Sequence, residues 1–429
     1  MPGLPGRMRG RVLYHLHSLG AAGVPAVNSD PLAAEASGRG LRVLQGWLDH
    51  VRSLGCGGVL LTPIFAASTH GYDTVDPFRI DQRLGDEGDF TAFAEACHDR
   101  DLLLILDGVL NHVGRAFPAF QDVLARGPGS RFVPWFRLDF AADGPDGFAY
   151  ADFEGHPELV ALNHAHPEVL DWAVAVSRRW LDRGADGWRL DAAYRIPETF
   201  LASLGQSVRA AHPDAFLFGE KIHGDYARFV EESHLDSVTQ YELHKALWSS
   251  LNDTNLFELD WALRRHREFC TVFSPVTFAG NHDVSRLVTR LRDPALLGPL
   301  LAVLLTLPGV PCVYYGDELA WEGSVDATGD GDDAVRPPLP ATAVPSGARQ
   351  VEALRLHREL IALRRRSPWL TDARLELGEV SNSRIAYTVA APEDAERLLV
   401  TVDLAGDAAP PAGWRPALEG AGWTVAVPA

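Results

Sequence analysis

Three acidic residues end apolar segments of the chain, where they could act together on one substrate. Asp191 closes Gly184-Ala-Asp-Gly-Trp-Arg-Leu-Asp191, Glu220 follows Ala215-Phe-Leu-Phe-Gly, and Asp283 follows Ala279-Gly-Asn-His. Carboxyl groups that converge on a small pocket repel one another, so one of them takes up a proton near neutral pH. An ionised carboxylate beside a protonated one provides a nucleophile and a general acid, the pair that a retaining glycosidase needs.

The neighbours of two of these carboxyl groups suggest which one carries the charge. In a strand, Arg189 and Asp191 share one face, and the arginine would lower the pKa of the aspartate and suit it to be the nucleophile. Glu220 follows an apolar run, where loss of solvation would raise its pKa and suit it to acid/base work. An isolated Arg-x-Asp is also compatible with a purely structural ion pair.

A different chemistry is suggested by His15 and His17, which share one face of the first predicted strand. A His-x-His pair there could hold a metal ion, but such a site needs a lysine and further histidines at later strand ends. Those ends carry Asp191 and Glu220 instead, so no metal ligands are assigned.

The elements that must position these residues alternate between strands and helices. Apolar strands are predicted at 11–19, 57–63, 101–107, 184–191, 215–220, 235–239, 275–280 and 310–315, with helical patterns between many of them. Continuous apolar strands that alternate with helices are typical of a parallel α/β fold. Eight such strands predict a (β/α)8 TIM barrel, in which the chemistry lies at the carboxyl ends of the strands.

The rhythm is interrupted once and ends before the C-terminus. Residues 113–166 are rich in loops and aromatic residues and predict a domain inserted after the third strand. Alternating apolar runs after Ser367 predict a small antiparallel β-domain. The expected division is a barrel over 1–112 and 167–366, an inserted domain over 113–166 and a C-terminal domain over 367–429.

Composition excludes some classes of partner. The chain has 39 basic and 57 acidic residues, a net charge of −18, with no basic cluster along the sequence, so a nucleic-acid partner is not expected. It contains neither a signal peptide nor an apolar run of 18 residues, so no membrane partner is expected. Its four cysteines are scattered and form no Cys-x-x-Cys pair, which suits reduced thiols and a cytoplasmic location.

Four short motifs together resemble the α-amylase family, glycoside hydrolase family thirteen. They occur in the family order on predicted strands: Asp107-Gly-Val-Leu-Asn-His112, Gly187-Trp-Arg-Leu-Asp191, Gly219-Glu220 and Gly280-Asn-His-Asp283. The resemblance extends from about residue 11 to 366. It implies the barrel, an inserted B domain and a C-terminal β-domain.

The resemblance also implies roles for residues. Asp191 would be the nucleophile, Glu220 the acid/base and Asp283 the third carboxylate, which steadies the distorted sugar. Tyr72, Asp73, His112, Arg189 and His282 would line the subsite that holds the reacting ring, and Asp107 and Arg286 are further substrate-binding candidates. The implied activity is retaining hydrolysis of α-glucosidic bonds through a covalent intermediate.

Other stretches are similar to intracellular neopullulanase and cyclomaltodextrinase enzymes, which cleave α-1,4 and often α-1,6 bonds in short or cyclic sugars. These stretches include Thr62-Pro-Ile-Phe-Ala, His70-Gly-Tyr-Asp-Thr74 and Tyr314-Tyr-Gly-Asp-Glu318. A hydrolase of cyclic maltosyl-maltose, which resembles this subgroup, would also fit. Many such relatives carry an N-terminal β-domain that builds a homodimer, whereas here the barrel pattern starts near residue 11. Ala192, Ala193 and Tyr194 follow the nucleophile, where many starch-active members have Lys-His.

Calcium is common in the family and often involves the asparagine that matches Asn111. No partners for it can be assigned, and the aspartates of the polar loop after Trp321 (Asp326, Asp330, Asp332 and Asp333) lack EF-hand spacing. We therefore expect no required cofactor.

Two alternatives remain open from the sequence. A transglycosylase or isomerase on the same scaffold would share the covalent intermediate. A non-catalytic amylase-like scaffold protein would typically have lost carboxylates that this chain retains.

Overall fold

The computed structural model describes residues 4–32, 38–144, 146–325, 332–393, 395–406 and 408–429. Eight parallel strands form its central sheet, and we number them in chain order. They are β1 (Leu13–Leu16), β2 (Gly58–Leu61), β3 (Leu103–Gly108), β4 (Gly187–Leu190), β5 (Phe216–Gly219), β6 (Ser237–Val238), β7 (Val276–Phe278) and β8 (Val310–Tyr314).

The sheet closes on itself in sequential order. Each strand from β1 to β5 pairs with the next, β7 pairs with β8, and β8 returns to β1. A parallel bridge between Thr239 and Val276 joins the last two neighbours, β6 and β7. The predicted (β/α)8 barrel is therefore confirmed: seven strands lie inside the predicted segments, and β3 runs one residue beyond its segment, to Gly108.

Helices surround the barrel. The longer ones are Gly40–Leu54, Glu87–His98, Pro118–Arg126, Pro167–Leu181, Glu198–Arg209, Tyr226–Ser233, Tyr241–Asn252, Leu256–Phe269, Leu297–Thr306 and Ala348–Arg366, and short helices span Ser18–Ala22, Leu287–Arg290 and Asp332–Val335. The helix Gly40–Leu54 ends at Gly55, whose φ of 97° is the left-handed geometry that favours glycine at this position. None of the helices in the described ranges has the length and apolar character to cross a membrane.

The two faces of the strands serve two apolar cores. Side chains that point into the barrel form a small inner cluster, which includes Leu13, Leu60, Ile105, Phe218 and Val310. Those that point outward pack under the helices in a much larger cluster. On β1, His15 follows Leu13 on the inner face, and on β4 Arg189 does the same after Gly187. Polar inner residues therefore stand at the carboxyl end of the barrel, above an apolar plug.

Two antiparallel structures rise above that end. The hairpin Phe65–Ala67 with Thr74–Ile80 follows β2. After β3, the strand His156–Ala161 pairs with His112–Gly114 and with Asp152–Phe153. Residues 113–166, which the sequence predicted to be rich in loops, thus contain strands and the helix Pro118–Arg126. Aromatic contacts hold them together: the ring centroid of Phe120 lies 5.2 Å from that of Phe136 and 5.0 Å from that of Tyr150. The boundaries 113 and 166 of an inserted domain stay predictions.

A five-stranded antiparallel sheet ends the chain. Its strands are β9 (Arg374–Val380), β10 (Arg384–Ala390), β11 (Arg397–Asp403), β12 (Trp414–Gly420) and β13 (Trp423–Pro428), in the order β9–β10–β11–β13–β12. It packs on the helix Leu297–Thr306, where the hydroxyls of Thr306 and Tyr387 lie 2.9 Å apart. The predicted C-terminal β-sheet is confirmed, and β9 and β12 are strands that the sequence pattern did not predict.

Candidate active site

The parallel register brings the acidic residues to one mouth. Asp107 on β3 is the register partner of Arg189 on β4, and Leu190 is level with both Gly108 and Gly219. Asp191 and Glu220 follow β4 and β5 directly, so they emerge side by side at the carboxyl ends of adjacent strands. Both side chains are buried.

Arg189 faces three carboxylates at once. Its Nη1 lies 2.5 Å from Asp107 Oδ2 and 3.3 Å from Asp191 Oδ1, and its Nη2 lies 2.9 Å from Glu220 Oε1. The guanidinium is almost fully enclosed, with 5% of its side-chain surface exposed. A planar group with several donors in fixed directions can hold these carboxylates in one arrangement, whereas a lysine ammonium is a point charge.

Glu220 is held by two further donors. The backbone N–H of Ala192 donates to Oε2 at 2.9 Å, and the hydroxyl of Tyr241 donates to Oε1 at 3.1 Å. Ala192 adopts the left-handed conformation, with a φ of 45°, in the turn after Asp191. By contrast, the only contact recorded for the Asp191 carboxylate among the described residues is the 3.3 Å approach of Arg189, which leaves it freer to meet a substrate.

Burial changes the ionisation of this cluster. Burial, together with the charge of Glu220, raises the pKa of Asp191 well above its usual value, and Arg189 opposes this only in part. Arg189 lowers the pKa of Asp191, as the sequence predicted, but the expectation of a net pKa below the usual value is wrong because burial and Glu220 outweigh the arginine. Burial also raises the pKa of Asp107 to about 6. The expectation that the converging carboxyl groups retain a proton near neutral pH is confirmed in direction.

Tyr72, His282 and Asp283 extend the cluster across the mouth. The Tyr72 hydroxyl donates to Asp107 Oδ2 at 3.0 Å and lies 2.7 Å from His282 Nε2, with the two rings stacked. His282 Nε2 is also 3.1 Å from Asp283 Oδ1. Burial lowers the pKa of His282 well below its usual value, so the ring is neutral.

Asp283 stands at the rim of the mouth. It keeps 44% of its side-chain surface exposed, and Arg336 approaches it at 3.5 Å. Partial burial within the concave mouth and the charge of Glu220 raise the pKa of Asp283 to about 7. The third carboxylate therefore titrates near neutral pH.

Two other candidates, His112 and Asp73, lie beside the carboxylate cluster. His112 is buried and stacks on Phe153 with ring centroids 4.8 Å apart. Asp73 accepts hydrogen bonds from the backbone and hydroxyl of Thr69, which holds its own loop together.

Arg286 lies behind the mouth. Its guanidinium packs over the ring of Tyr314 at 4.3 Å and hydrogen-bonds the carbonyl of Tyr315. This enclosed position does not support a contact with substrate, so its substrate-binding role stays a prediction.

Several site residues were missed by the sequence interpretation. Tyr241 reaches Glu220 from the helix after β6, and Asn281 donates to the Tyr241 hydroxyl at 2.9 Å. Phe153 and Arg336 come from the inserted strands and from the loop after β8. Only Tyr241 and Asn281 had a usable signal, since both stand at carboxyl ends of barrel strands.

Within the described residues, His15 and His17 have other partners and are not grouped as metal ligands. His17 Nδ1 accepts from the backbone of Gly20 and caps a short helix, while His15 packs against His282 at 5.2 Å. Across the described residues, no three His, Cys, Asp or Glu side chains are grouped as metal ligands.

Calcium does not fit beside Asn111. This residue shares a cleft of about 300 Å³ with Asp152, Arg137 and Arg195, and two arginines oppose a cation that requires oxygen ligands. The aspartates 326 and 330 of the polar loop lie outside the described residues, and the side chains of 332 and 333 are likewise not described.

The fold is a closed TIM barrel with an inserted β-structure. Its candidate site consists of carboxylates that converge at the carboxyl ends of the strands. The family model "Alpha amylase, catalytic domain" matches residues 37–338. The chain therefore belongs to the α-amylase family.

Individual relatives are similar over much of the chain. A cyclomaltodextrinase of Geobacillus thermopakistaniensis is 34% identical over 70% of this chain and 53% of its own length. An intracellular maltogenic amylase of Bacillus subtilis is 31% identical over 71% of this chain and 52% of its own. The chain thus spans about half the length of the curated relatives it matches.

Among solved structures, the cyclic α-maltosyl-(1→6)-maltose hydrolase of Arthrobacter globiformis superposes over nearly the whole chain. Its TM-score is 0.78 at 27% identity, covering 93% of this chain and 92% of that one. The similarity includes the C-terminal sheet as well as the barrel.

Proposed function

We propose that this protein is a retaining α-glycoside hydrolase that cleaves α-1,4-glucosidic bonds in malto-oligosaccharides or cyclic α-glucans. The observation that carries the proposal is the contact of one buried guanidinium, that of Arg189, with Asp107, Asp191 and Glu220. Such an arrangement holds two carboxyl groups side by side at the end of a barrel, which is the requirement for glycosyl transfer through a covalent intermediate.

In this proposal Asp191 is the nucleophile. Its carboxylate attacks the anomeric carbon while Glu220 donates a proton to the departing glycosidic oxygen, which leaves a glycosyl ester on Asp191. Water then attacks that carbon, Glu220 takes up the proton of the water, and the ester bond to Asp191 breaks. The single long contact of Asp191 and the three donors that fix Glu220 support this division of roles.

The first step needs a proton on one carboxyl group and a charge on the other. Asp191 and Glu220 share Arg189, and burial together with the charge of Glu220 raises the pKa of Asp191. Catalysis uses the form in which the proton is on Glu220 and Asp191 is ionised. Asp283 at the rim, with Tyr72 and His282 opposite, is proposed to hold the sugar ring under attack.

The substrate class is supported by the relatives. Their names include cyclomaltodextrinase, maltogenic amylase and a hydrolase of a cyclic maltosyl-maltose. We therefore propose that the site at the mouth of the barrel binds an α-glucan oligosaccharide as its substrate.

Product analysis tests the function. We would incubate the protein with starch, pullulan, maltotriose, cyclomaltohexaose and a cyclic maltosyl-maltose, and separate the products by chromatography. Fast cleavage of the short and cyclic sugars with little action on starch is expected. Transfer products that dominate even at low acceptor concentration would instead indicate a transglycosylase, and no reaction with any of these sugars would contradict the proposal.

A homodimer and a cytoplasmic location are further proposals. The four cysteines are all free, and three of them are buried, which suits a reducing compartment. Light scattering on purified protein would give the oligomeric state, and a mass corresponding to one chain would contradict the dimer.

A further inference from the structure

A second polar cleft lies at the opposite end of the barrel from the carboxylates. It has a volume of about 200 Å³, and four arginines line it: Arg9, Arg11, Arg52 and Arg365. Arg9 and Arg11 precede β1, and Gly57 and Asp101 on its wall precede β2 and β3. The cleft is thus built from the amino-terminal ends of barrel strands, away from the proposed active site.

Two of these arginines are held in place by acidic partners. Arg11 Nη2 donates to Asp101 Oδ1 at 2.8 Å, while its other nitrogens donate to carbonyls of Arg7, Gly57 and Asp101. Arg9 Nη2 lies 2.9 Å from Asp372 Oδ2. These contacts fix one wall of the cleft without using the other two guanidinium groups.

Arg52 and Arg365 carry the unbalanced charge. Within the described residues, neither side chain has a recorded hydrogen bond or ion pair, although both charges lower the pKa of Asp101. They project from the last turns of the helices Gly40–Leu54 and Ala348–Arg366. Cations are favoured at helix C-termini, which explains an arginine in the last turn of each helix. That preference does not explain why arginines of two different helices line the same cleft.

Three glycines form part of the wall of the cleft. Gly10, Gly55 and Gly57 line it, and a Cβ on Gly55 would meet Ile361 at 3.0 Å and Arg365 Cδ at 3.5 Å. Gly10 and Gly55 also have positive φ values, 69° and 97°, which other residues rarely adopt. A side chain at any of these glycines would therefore crowd its neighbours in the wall of the cleft.

We propose that this cleft binds a phosphate group, either as the free ion or as the end of a phosphorylated metabolite. Guanidinium groups match tetrahedral oxyanions because they donate two parallel hydrogen bonds to them. Four of them line this cleft, and two of the four, Arg52 and Arg365, have no recorded acidic partner among the described residues of a protein whose net charge is −18. The excess of positive charge is therefore local. The volume is below that of usual drug-sized pockets, which suits a small anion better than a large cofactor.

Isothermal titration calorimetry of the full chain with sodium phosphate and with a hexose monophosphate tests the proposal, at ionic strength held constant with sodium chloride. Saturable binding of at least one of the two is expected, with an accompanying rise in Tm. Tighter binding of the hexose phosphate would identify the metabolite as the ligand, and tighter binding of phosphate would identify the free ion. Equal effects of phosphate and chloride would overturn the proposal.

The double variant R52Q/R365Q should bind phosphate at least about tenfold more weakly, since each arginine provides charge-assisted hydrogen bonds. The matched control is R267Q/R358Q, which removes two exposed helical arginines with no recorded side-chain partner elsewhere on the surface. If R52Q/R365Q fails to fold, the charge-retaining R52K and R365K serve in its place, with a smaller loss expected. Phosphate affinity that is unchanged in the folded glutamine variant, or in the lysine variants that replace it, would overturn the proposal. An equal loss of affinity in the control would also overturn it.

Discussion

At the scale of single residues, the site depends on one buried cation among four acidic side chains. Arg189 contacts Asp107, Asp191 and Glu220, while Asp283 stands at the rim. Since burial opposes ionisation of the aspartates, the arginine is the main influence that keeps them available as anions. Its geometry and its charge can be separated by substitution.

Arg189→Lys keeps the charge but cannot reach three carboxylates. Arg189 lowers the pKa values of Asp191 and Asp107. A lysine that contacts these carboxylates less closely would therefore let both pKa values rise further. The nucleophile then becomes ionised only at higher pH, and the acidic limb of the kcat/KM profile moves to higher pH. We expect kcat/KM at neutral pH to fall by about 10²-fold or more.

The profile is measured with a neutral oligosaccharide from pH 4 to 9, with Tm recorded to show that the variant is folded. An acidic limb that stays in place in a folded variant would contradict the assigned role of Arg189.

Glu220→Gln removes the group that would carry the proton. The amide keeps the shape but has one acceptor oxygen, so it can keep the hydrogen bond from either Ala192 or Tyr241. Substrate affinity should largely remain while kcat falls about 10²–10⁴-fold. Turnover and calorimetric affinity are measured on the same preparation. Glu232→Gln is the control, because Glu232 lies on the surface in an ion pair with Arg228. Unchanged turnover in Glu220→Gln would remove this residue from its role.

At the scale of elements, the turn after β4 holds a strained backbone conformation at the residue whose N–H binds Glu220. Ala192 has a φ of 45° and donates its N–H to Glu220. A β-branched residue is strongly disfavoured in this conformation.

We expect Ala192→Val to lower the free energy of unfolding by about 1–3 kcal/mol and to lower kcat by displacing the N–H from Glu220. Ala192→Gly, which tolerates the positive φ, should retain activity. Denaturant unfolding and initial rates measure the two effects, and a fully active, stable Ala192→Val would show that this turn does not hold Glu220.

At the scale of the whole molecule, the C-terminal sheet is joined to the barrel by close packing. A Cβ on Gly298, in the helix Leu297–Thr306, would lie 2.5 Å from Trp423 Nε1 of β13. Gly298→Ala should therefore destabilise the protein by about 1–3 kcal/mol.

The comparison is Gly46→Ala, where a Cβ would meet nothing within 4 Å on the helix Gly40–Leu54. That change should stabilise by about 0.4–1 kcal/mol, because alanine has less freedom to lose on folding. Opposite signs in denaturant unfolding are expected, with no change in kcat. Equal effects would mean that Gly298 is not needed for the junction with the sheet.

Much of this molecule followed from the sequence. Continuous apolar segments that alternate with helical patterns were enough to predict the barrel and its eight strands. The side-chain alternation along β4 correctly placed Arg189 and Asp191 on one face, 3.3 Å apart. Because parallel strands end at the same edge, it also placed Asp107, Asp191 and Glu220 at a common mouth.

The tertiary structure decided what depends on neighbours distant in the chain. The pKa of Asp191 is raised because Glu220 and the surrounding burial outweigh the adjacent arginine, and neither influence is visible from residues 184–191 alone. The contact of Tyr241 with Glu220, the enclosure of Arg286 among aromatic rings and the meeting of four arginines beneath the barrel have the same origin. Local pattern determines which face of a strand a residue occupies, but the energy of a charge depends on every group around it in space.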